Sequence, residues 1–350
     1  MDEIRYGVIG AGMMGVEHIR NIAAIDGACV TAIADPSESS RAGALKEFSG
    51  DVPAFESAHE LIDSNRCDAV VVATPNDTHV DVLLELMPTD PHVLAEKPLC
   101  TTVEDCDRVI AAAEGRKAVA WVGLEYRYMP PVSRLIDEVR SGRLGKLRML
   151  SIREHRFPFL EKVGNWNRLS RRTGGTLVEK CCHYFDLMNH ILDAPPVRVF
   201  ASGGQDVNHL DEAYDGERSD ILDNAFVTVD YENGSRALLD LCMFAEGGRN
   251  QEEVTAVGDL GKVESHLPSS EVAIGMRSAK MFQPRIETVT RDDVRYAGFH
   301  HGASYLEHLD FLDAIRNGTP PKVSLADGRA ATALGSAAHR SIETGQPVDL

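Results

Sequence analysis

The sequence is poor in positive charge. Lys and Arg total 36 against 54 Asp and Glu, a formal net charge of −18. Such a surface repels phosphate backbones, so no nucleic-acid partner is expected. Paired cysteines are also missing. The seven cysteines stand at 29, 67, 100, 106, 181, 182 and 242, with no CxxC among them. They read as small buried residues in a reducing compartment rather than a disulfide framework. No apolar run approaches the roughly 18 residues needed to cross a bilayer, so no membrane partner is expected. No signal peptide is expected either, because the first strand starts within a few residues of Met1. These absences together predict a cytoplasmic protein. What is present is 43% hydrophobic residues over 350 positions. That is enough for sizeable cores, and the length suits two domains of about 150 residues each.

The most informative stretch is the first. Tyr6 to Ile9 reads as a buried strand and runs into Gly10-x-Gly12-x-x-Gly15. Val16, Ile19 and Ile22 then recur at helical spacing. Strand, glycine loop and helix are the context a dinucleotide fingerprint requires. Gly10 permits the tight turn, Gly12 lets a pyrophosphate approach the backbone beside Met13 and Met14, and Gly15 lets helix and strand pack closely. The helix N-terminus offers N–H groups and a positive dipole to phosphate. Asp35 ends the next apolar run, about 20 residues past Gly15, where an acid that holds ribose hydroxyls is expected. That acid favours NAD; Ser37, Ser40 and Arg41 close behind it leave NADP open.

Two further strand ends fall on the same edge. The valine run Val70–Val72 implies burial on both faces, as in a parallel sheet, and leads into Thr74-Pro75-Asn76 with His79. A fourth strand ends in Glu96-Lys97-Pro98, where Pro98 keeps Lys97 extended. Ligands sit at the carboxyl ends of such strands. Thr74, Pro75, Asn76, His79, Glu96 and Lys97 are therefore expected against the cofactor.

From Lys146 the pattern changes to alternation, as in half-buried strands: Leu147–Arg153, Val197–Ser202, Ala225–Tyr231, Arg236–Phe244 and Glu253–Gly258. Asn233-Gly234 is a hairpin signal. The expected fold is an α/β Rossmann domain over residues 1–125, then an α+β domain over 126–350 with a large, mostly antiparallel, open-faced sheet. Between the strands, Gly174-Gly175 precedes a helix on which Glu179, His183, Asp186 and His190 share one face. Thr176-x-x-Glu179 is also a capping-box pattern. Cys181 and Cys182 read as inert buried thiols, and no metal site is expected. The acidic connection 206–223 reads as a solvated excursion, with a lid or a partner-subunit arm as the alternative.

VIGAGMMG, Ala73-Thr74-Pro75-Asn76 with His79, Ala95-Glu96-Lys97-Pro98, Gly123-Leu124-Glu125-Tyr126-Arg127-Tyr128-Met129-Pro130, and the Gly174-Gly175 helix with His183 resemble the Gfo/Idh/MocA oxidoreductases, in order and over nearly the whole chain. The resemblance implies a dehydrogenase or reductase using NAD(P). Its substrate would be a secondary alcohol or ketone of a sugar, glycoside or inositol-like cyclitol. Lys97 and His183 would be catalytic with Glu179 beside them, and Tyr126, Arg127, Trp166 and His300 would meet the substrate. It also implies a homodimer or homotetramer through the open sheet face. The sequence departs from the family's Asp-x-Gly-x-His pattern, having Glu179-Lys180-Cys181-Cys182-His183. That leaves open redox-assisted glycoside cleavage; the resemblance also leaves a sensor without catalysis as an alternative of another class.

Overall fold

A computed structural model describes residues 3–214, 216–278 and 283–350. Two sheets carry the fold. The first contains β1 (Ile4–Ile9), β2 (Ala28–Ala34), β3 (Ala54–Phe55), β4 (Ala69–Val72), β5 (His92–Glu96) and β6 (Ala120–Gly123). All pairings are parallel, in the order β3-β2-β1-β4-β5-β6. This is the doubly wound order, whose crevice lies beyond β1 and β4, where the strand order reverses. Every residue of β4 is buried, as its unbroken apolar run requires.

The chain leaves this sheet at Gly123. It passes through the helix Pro130–Arg140 and enters the second sheet at β7 (Leu147–His155). There follow β8 (Pro196–Gly204), a small separate hairpin of β9 (Ala213–Tyr214) and β10 (Glu217–Arg218), and β11 (Asn224–Tyr231). Then come β12 (Arg236–Cys242), β13 (Glu252–Gly258), β14 (Gly261–Leu267), β15 (Glu271–Met276), β16 (Arg285–Thr288) and β17 (Val348–Asp349). The nine-stranded order is β16-β15-β14-β13-β7-β12-β11-β8-β17. Among the described residues of this sheet, only β7 and β12 pair parallel. The alternation that identified these strands is physical: Val199, Ala201, Val227, Leu239 and Val254 point into the core. On the opposite face Met149 is 59% exposed, Phe200 46% and Phe226 60%.

Two late helices pack on these sheets. In the helix Leu325–Thr344, Ser324 and Asp327 form a reciprocal capping box. Its small residues permit close approach: a Cβ on Gly335 would sit 2.6 Å from the Leu177 carbonyl oxygen, and one on Gly328 2.9 Å from Leu99. The helix Ala303–Asn317 anchors to the first sheet, where Trp121 Nε1 donates to Glu307 at 3.0 Å. Within the acidic connection, Asp223 accepts the backbone N–H groups of residues 206, 207 and 208. Among the described residues no helix is long and apolar enough to cross a membrane.

Candidate active site

At the end of β1 the three glycines differ in what they must avoid. Gly10 has φ +93°, and a Cβ there would lie 2.5 Å from the Ala73 carbonyl. A Cβ on Gly15 would lie 1.9 Å from the Gly10 oxygen, so helix and strand meet only because it is absent. Gly12 faces open space, with nothing within 4 Å of a built Cβ. It caps the helix Met13–Ala23 with no side-chain hydrogen bond. The first N–H groups of that helix therefore remain available to an anion.

Asp35 closes this end. Its Oδ2 accepts from Ala11 N and its Oδ1 from Ser37 N, both at 2.8 Å, which holds the carboxylate at the rim of the glycine loop. Arg41 donates to the carbonyls of Asp35 and Pro36 and to Glu56. A guanidinium so engaged does not form a seat for a ribose 2′-phosphate. Thr74 Oγ1 and Asn76 Nδ2, from the turn after β4, are buried without a protein partner. An open glycine, free helix N–H groups, a rim carboxylate and two orphaned polar atoms fit a dinucleotide.

Two residues expected to touch the cofactor do other work. His79 is fully buried, with Nδ1 2.8 Å from the Pro98 carbonyl and Nε2 3.0 Å from that of Thr74. It ties the turns after β4 and β5 together rather than facing the crevice. Glu96 turns inward to His18 Nε2 at 2.9 Å and accepts the Lys97 N–H at 3.0 Å. Burial opposes its ionisation, but His18 and Lys97 carry its pKa down to about 2. Glu96 therefore fixes the lysine's backbone.

Lys97 crosses to the second unit, where its Nζ donates to the Glu179 carbonyl at 3.1 Å. Burial alone would lower its pKa, but Cys182, Glu179, Glu96 and Glu125 raise it overall. It is thus a held cation with donors to spare.

The expected single helix after Gly174-Gly175 is broken. Gly174 and Gly175 both have positive φ. A short helix, Thr176–Glu179, stops before a second helix, Cys182–Leu192, begins. The capping box does not form: Gly175 is the cap, and Thr176 Oγ1 donates to the Leu222 carbonyl at 2.6 Å. The shared polar face also divides. Asp186 accepts from Nε and Nη2 of the Arg127 guanidinium, and His190 turns to Arg140. Glu179 keeps a buried Oε2 with no partner, and burial, ahead of the cations around it, pushes its carboxyl pKa up.

His183 is 1% exposed and stacks on Tyr126, with ring centroids 3.9 Å apart and planes within 6°. Burial first, then Lys97 and Lys180, hold its pKa well below the usual value, so it is neutral. Its Nδ1 lies 3.8 Å from Glu125 Oε2. Tyr126 serves as the platform beneath it rather than as a substrate contact, because its hydroxyl receives Lys180 Nζ at 2.6 Å. Lys180 in turn pairs with buried Glu154 at 3.0 Å. Arg127 likewise does other work than meeting substrate. It bonds Asp186, the Lys322 carbonyl and Asp327, so its donors are taken up in a clamp between segments of the chain. Trp166 is 8% exposed and carries Lys162 Nζ 5.2 Å over its ring. Its neighbours Asn165 and Asn167 each hold a buried oxygen without a partner. His300 enters from the loop before the helix Ala303–Asn317, with Nδ1 3.1 Å from Glu125 Oε1. Cys181 and Cys182 are buried, and burial pushes the Cys182 thiol up to about 12, so it is inert at neutral pH.

Sequence reasoning missed Glu125, Lys180 and Lys162 as members of the site. Glu125 carried a usable signal: it is an acid two residues past the carboxyl end of a buried parallel strand, as Glu96 is the last residue of one. Lys180 carried none, since a lysine beside two cysteines gives no hint that it is buried.

Fold and site together define an oxidoreductase that uses a nicotinamide dinucleotide. A family profile described as "Oxidoreductase family, NAD-binding Rossmann fold" matches residues 4–124. A second, "Oxidoreductase family, C-terminal alpha/beta domain", matches residues 136–350. The chain belongs to the Gfo/Idh/MocA oxidoreductase family, and its cofactor is NAD. It is 30% identical to the myo-inositol 2-dehydrogenase of Thermotoga maritima, over 99% of this chain and 98% of that protein. It is 31% identical to inositol 2-dehydrogenase 2 of Saccharopolyspora erythraea, over 98% and 95%. Among solved structures, a probable dehydrogenase from Thermotoga maritima superposes with a TM-score of 0.80 at 26% identity, covering 99% and 98% of the two chains. A levoglucosan dehydrogenase bound to NADH and levoglucosan shares the fold, with a TM-score of 0.87 at 20% identity and 99% coverage of both chains.

Proposed function

We propose that the chain interconverts a secondary alcohol and a ketone on a cyclitol or sugar, with Lys97 and His183 at the reacting carbon. The observation that carries this reading is the meeting of the two side chains. A held cation from the end of β5 and a neutral, buried imidazole from the second unit share the field of Glu125, and the lysine's charge is felt at the imidazole. Bound NAD supplies the hydride acceptor. Oxidation of a carbinol also needs a base for the hydroxyl proton, and neutral His183 provides one through Nε2. Lys97 orients the hydroxyl and stabilises negative charge growing on its oxygen.

The substrate class follows from the polar atoms without partners. Glu179 Oε2, Asn165 Oδ1 and Asn167 Oδ1 are buried and unsatisfied. Buried polar groups are normally hydrogen-bonded, and a polyol hydroxyl would satisfy Glu179 Oε2, whose backbone carbonyl already holds Lys97. The names of the inositol dehydrogenase relatives support the same class.

The test is a panel of inositols, free aldoses, methyl glycosides and aryl glycosides with NAD, following the absorbance of NADH. The expected result is NAD reduction by one polyol class. Silence throughout despite NAD binding would overturn it, and release of an aglycone without net NADH would replace it with redox-assisted glycoside cleavage. We also propose that the open sheet face, with Met149, Phe200 and Phe226, meets a second copy. A monomer by light scattering would refute this.

A further inference from the structure

Glu125 lies between two histidines, and the reaction as written above leaves it without work. Its side chain is 3% exposed. Oε2 faces His183 Nδ1 at 3.8 Å and Oε1 faces His300 Nδ1 at 3.1 Å. Among the described residues, Glu125 Oε2, His183 Nδ1 and His300 Nδ1 are buried polar atoms with no satisfactory hydrogen bond. His183 and Glu125 are sealed, at 1% and 3% exposure, whereas the His300 side chain is 22% exposed. The three groups form a line from the reacting carbon to the surface.

The outer end of that line is fixed deliberately. Glu17, on the helix that follows the glycine loop, is buried and accepts from the Tyr296 hydroxyl at 2.8 Å and from Phe299 N at 3.0 Å. Gly298, with φ +53°, lies so close that a Cβ there would be 1.8 Å from Glu17 Oε1. The loop carrying His300 is thus pinned to the cofactor-binding helix.

We infer that Glu125 is a positioning carboxyl that receives the proton His183 removes from the substrate hydroxyl and passes it through His300 to solvent. This rests on the dehydrogenase reading. In oxidation the substrate O–H bond breaks and its proton joins His183 Nε2, while the hydride leaves carbon for NAD. The proton on His183 Nδ1 moves to Glu125 Oε2. A proton leaves Oε1 for His300 Nδ1, and one leaves His300 Nε2 for water. One proton enters the line and one exits; reduction runs it backwards. The groups facing Glu125 suit a carboxyl that holds its proton. Burial and Glu96 favour the neutral form against Lys97 and Lys180, giving about 8. Glu307, from the helix Ala303–Asn317, lies in the same field. A proton resident on Glu125 is ready to leave for His300 as another arrives from His183.

The test uses NAD-loaded full-length protein, as wild type, Glu125→Gln and His300→Ala. Nitrogen NMR of labelled histidine rings, which needs no substrate, should show His183 and His300 sharing one titration step, absent in Glu125→Gln. With the polyol that reduces NAD in the panel, Glu125→Gln should lose at least about 10-fold in kcat with NAD affinity unchanged. His300→Ala should regain rate as imidazole buffer is added, a response that a purely structural role would not give. Normal turnover in Glu125→Gln, or no shared titration step, overturns the relay while leaving the dehydrogenase intact. A shared step in a protein that reduces NAD with no polyol supports the linkage and overturns the dehydrogenase reading instead.

Discussion

Glu125→Gln should make the protein more stable at alkaline pH, even as it harms turnover. Burial is the main reason the Glu125 carboxyl rises from 4.5 to about 8, with Glu96 adding to it and Lys97 and Lys180 opposing. Between those two values the folded protein holds a proton that the unfolded chain has released. Stability therefore falls as pH rises through that window. The favourable contribution is complete below about 4.5 and gone above about 8. At about 1.4 kcal/mol per pH unit separating the two states, the loss is roughly 5 kcal/mol. Glutamine keeps the shape and has no proton to lose. The assay is guanidinium unfolding of both proteins at pH 5, 7 and 9. Any packing difference is constant with pH, and Asp186 and Glu252, which burial also pushes up, titrate in both proteins and cancel. The Gln variant should gain several kcal/mol relative to wild type between pH 5 and 9. A stability difference that stays flat across that range would refute the reasoning.

Four other substitutions probe the rest of the site. Lys97→Ala and His183→Ala should each cut turnover with the panel polyol at least about 100-fold while NAD affinity, read by fluorescence quenching, barely changes; near-normal turnover in both would remove them from the chemistry. Gly15→Ala puts a Cβ 1.9 Å from the Gly10 oxygen, so helix and strand must part at a cost of about 1–3 kcal/mol, with weakened NAD binding by the same quenching assay. Asp186→Asn should cost about 3 kcal/mol by denaturant unfolding, the low end for a broken buried pair, because the Lys322 carbonyl and Asp327 still hold Arg127. The KM for polyol should stay put, whereas a substrate-binding Arg127 would move it.

The cofactor end could be read from sequence because its constraints are local. A glycine loop, an acid at a strand end and a valine run each state their geometry within a few residues, and the structure shows the reason at Gly10 and Gly15. Strand alternation was readable for the same reason: one face is buried and the other is not. What sequence hid were partners far apart along the chain. Arg127 looked like a substrate ligand because nothing nearby says that Asp186, 59 positions on, is waiting for it. His79 and Glu96 stood at the right strand ends, but their side chains turn inward to the Pro98 carbonyl and to His18. Lys180 is buried against Glu154, a pairing no spacing rule connects.

The broken helix is the sharpest case, and it bears directly on how the site is made. In an unbroken helix the Glu179 carbonyl would accept the His183 N–H. The break at residues 180–181 leaves that bond unmade, and the freed carbonyl takes the Lys97 ammonium at 3.1 Å and the Cys182 thiol at 3.4 Å. The break also allows Glu179 and His183 to depart from the one-turn spacing that helical periodicity would impose. Residues 179–183 are also where the sequence leaves the family pattern. The positive-φ glycines before the short helix set its direction, and the His339 ring accepts the Leu177 N–H at 3.1 Å to hold its first turn. The lysine and the histidine, from different units, thus meet because a helix that periodicity would continue is made to stop.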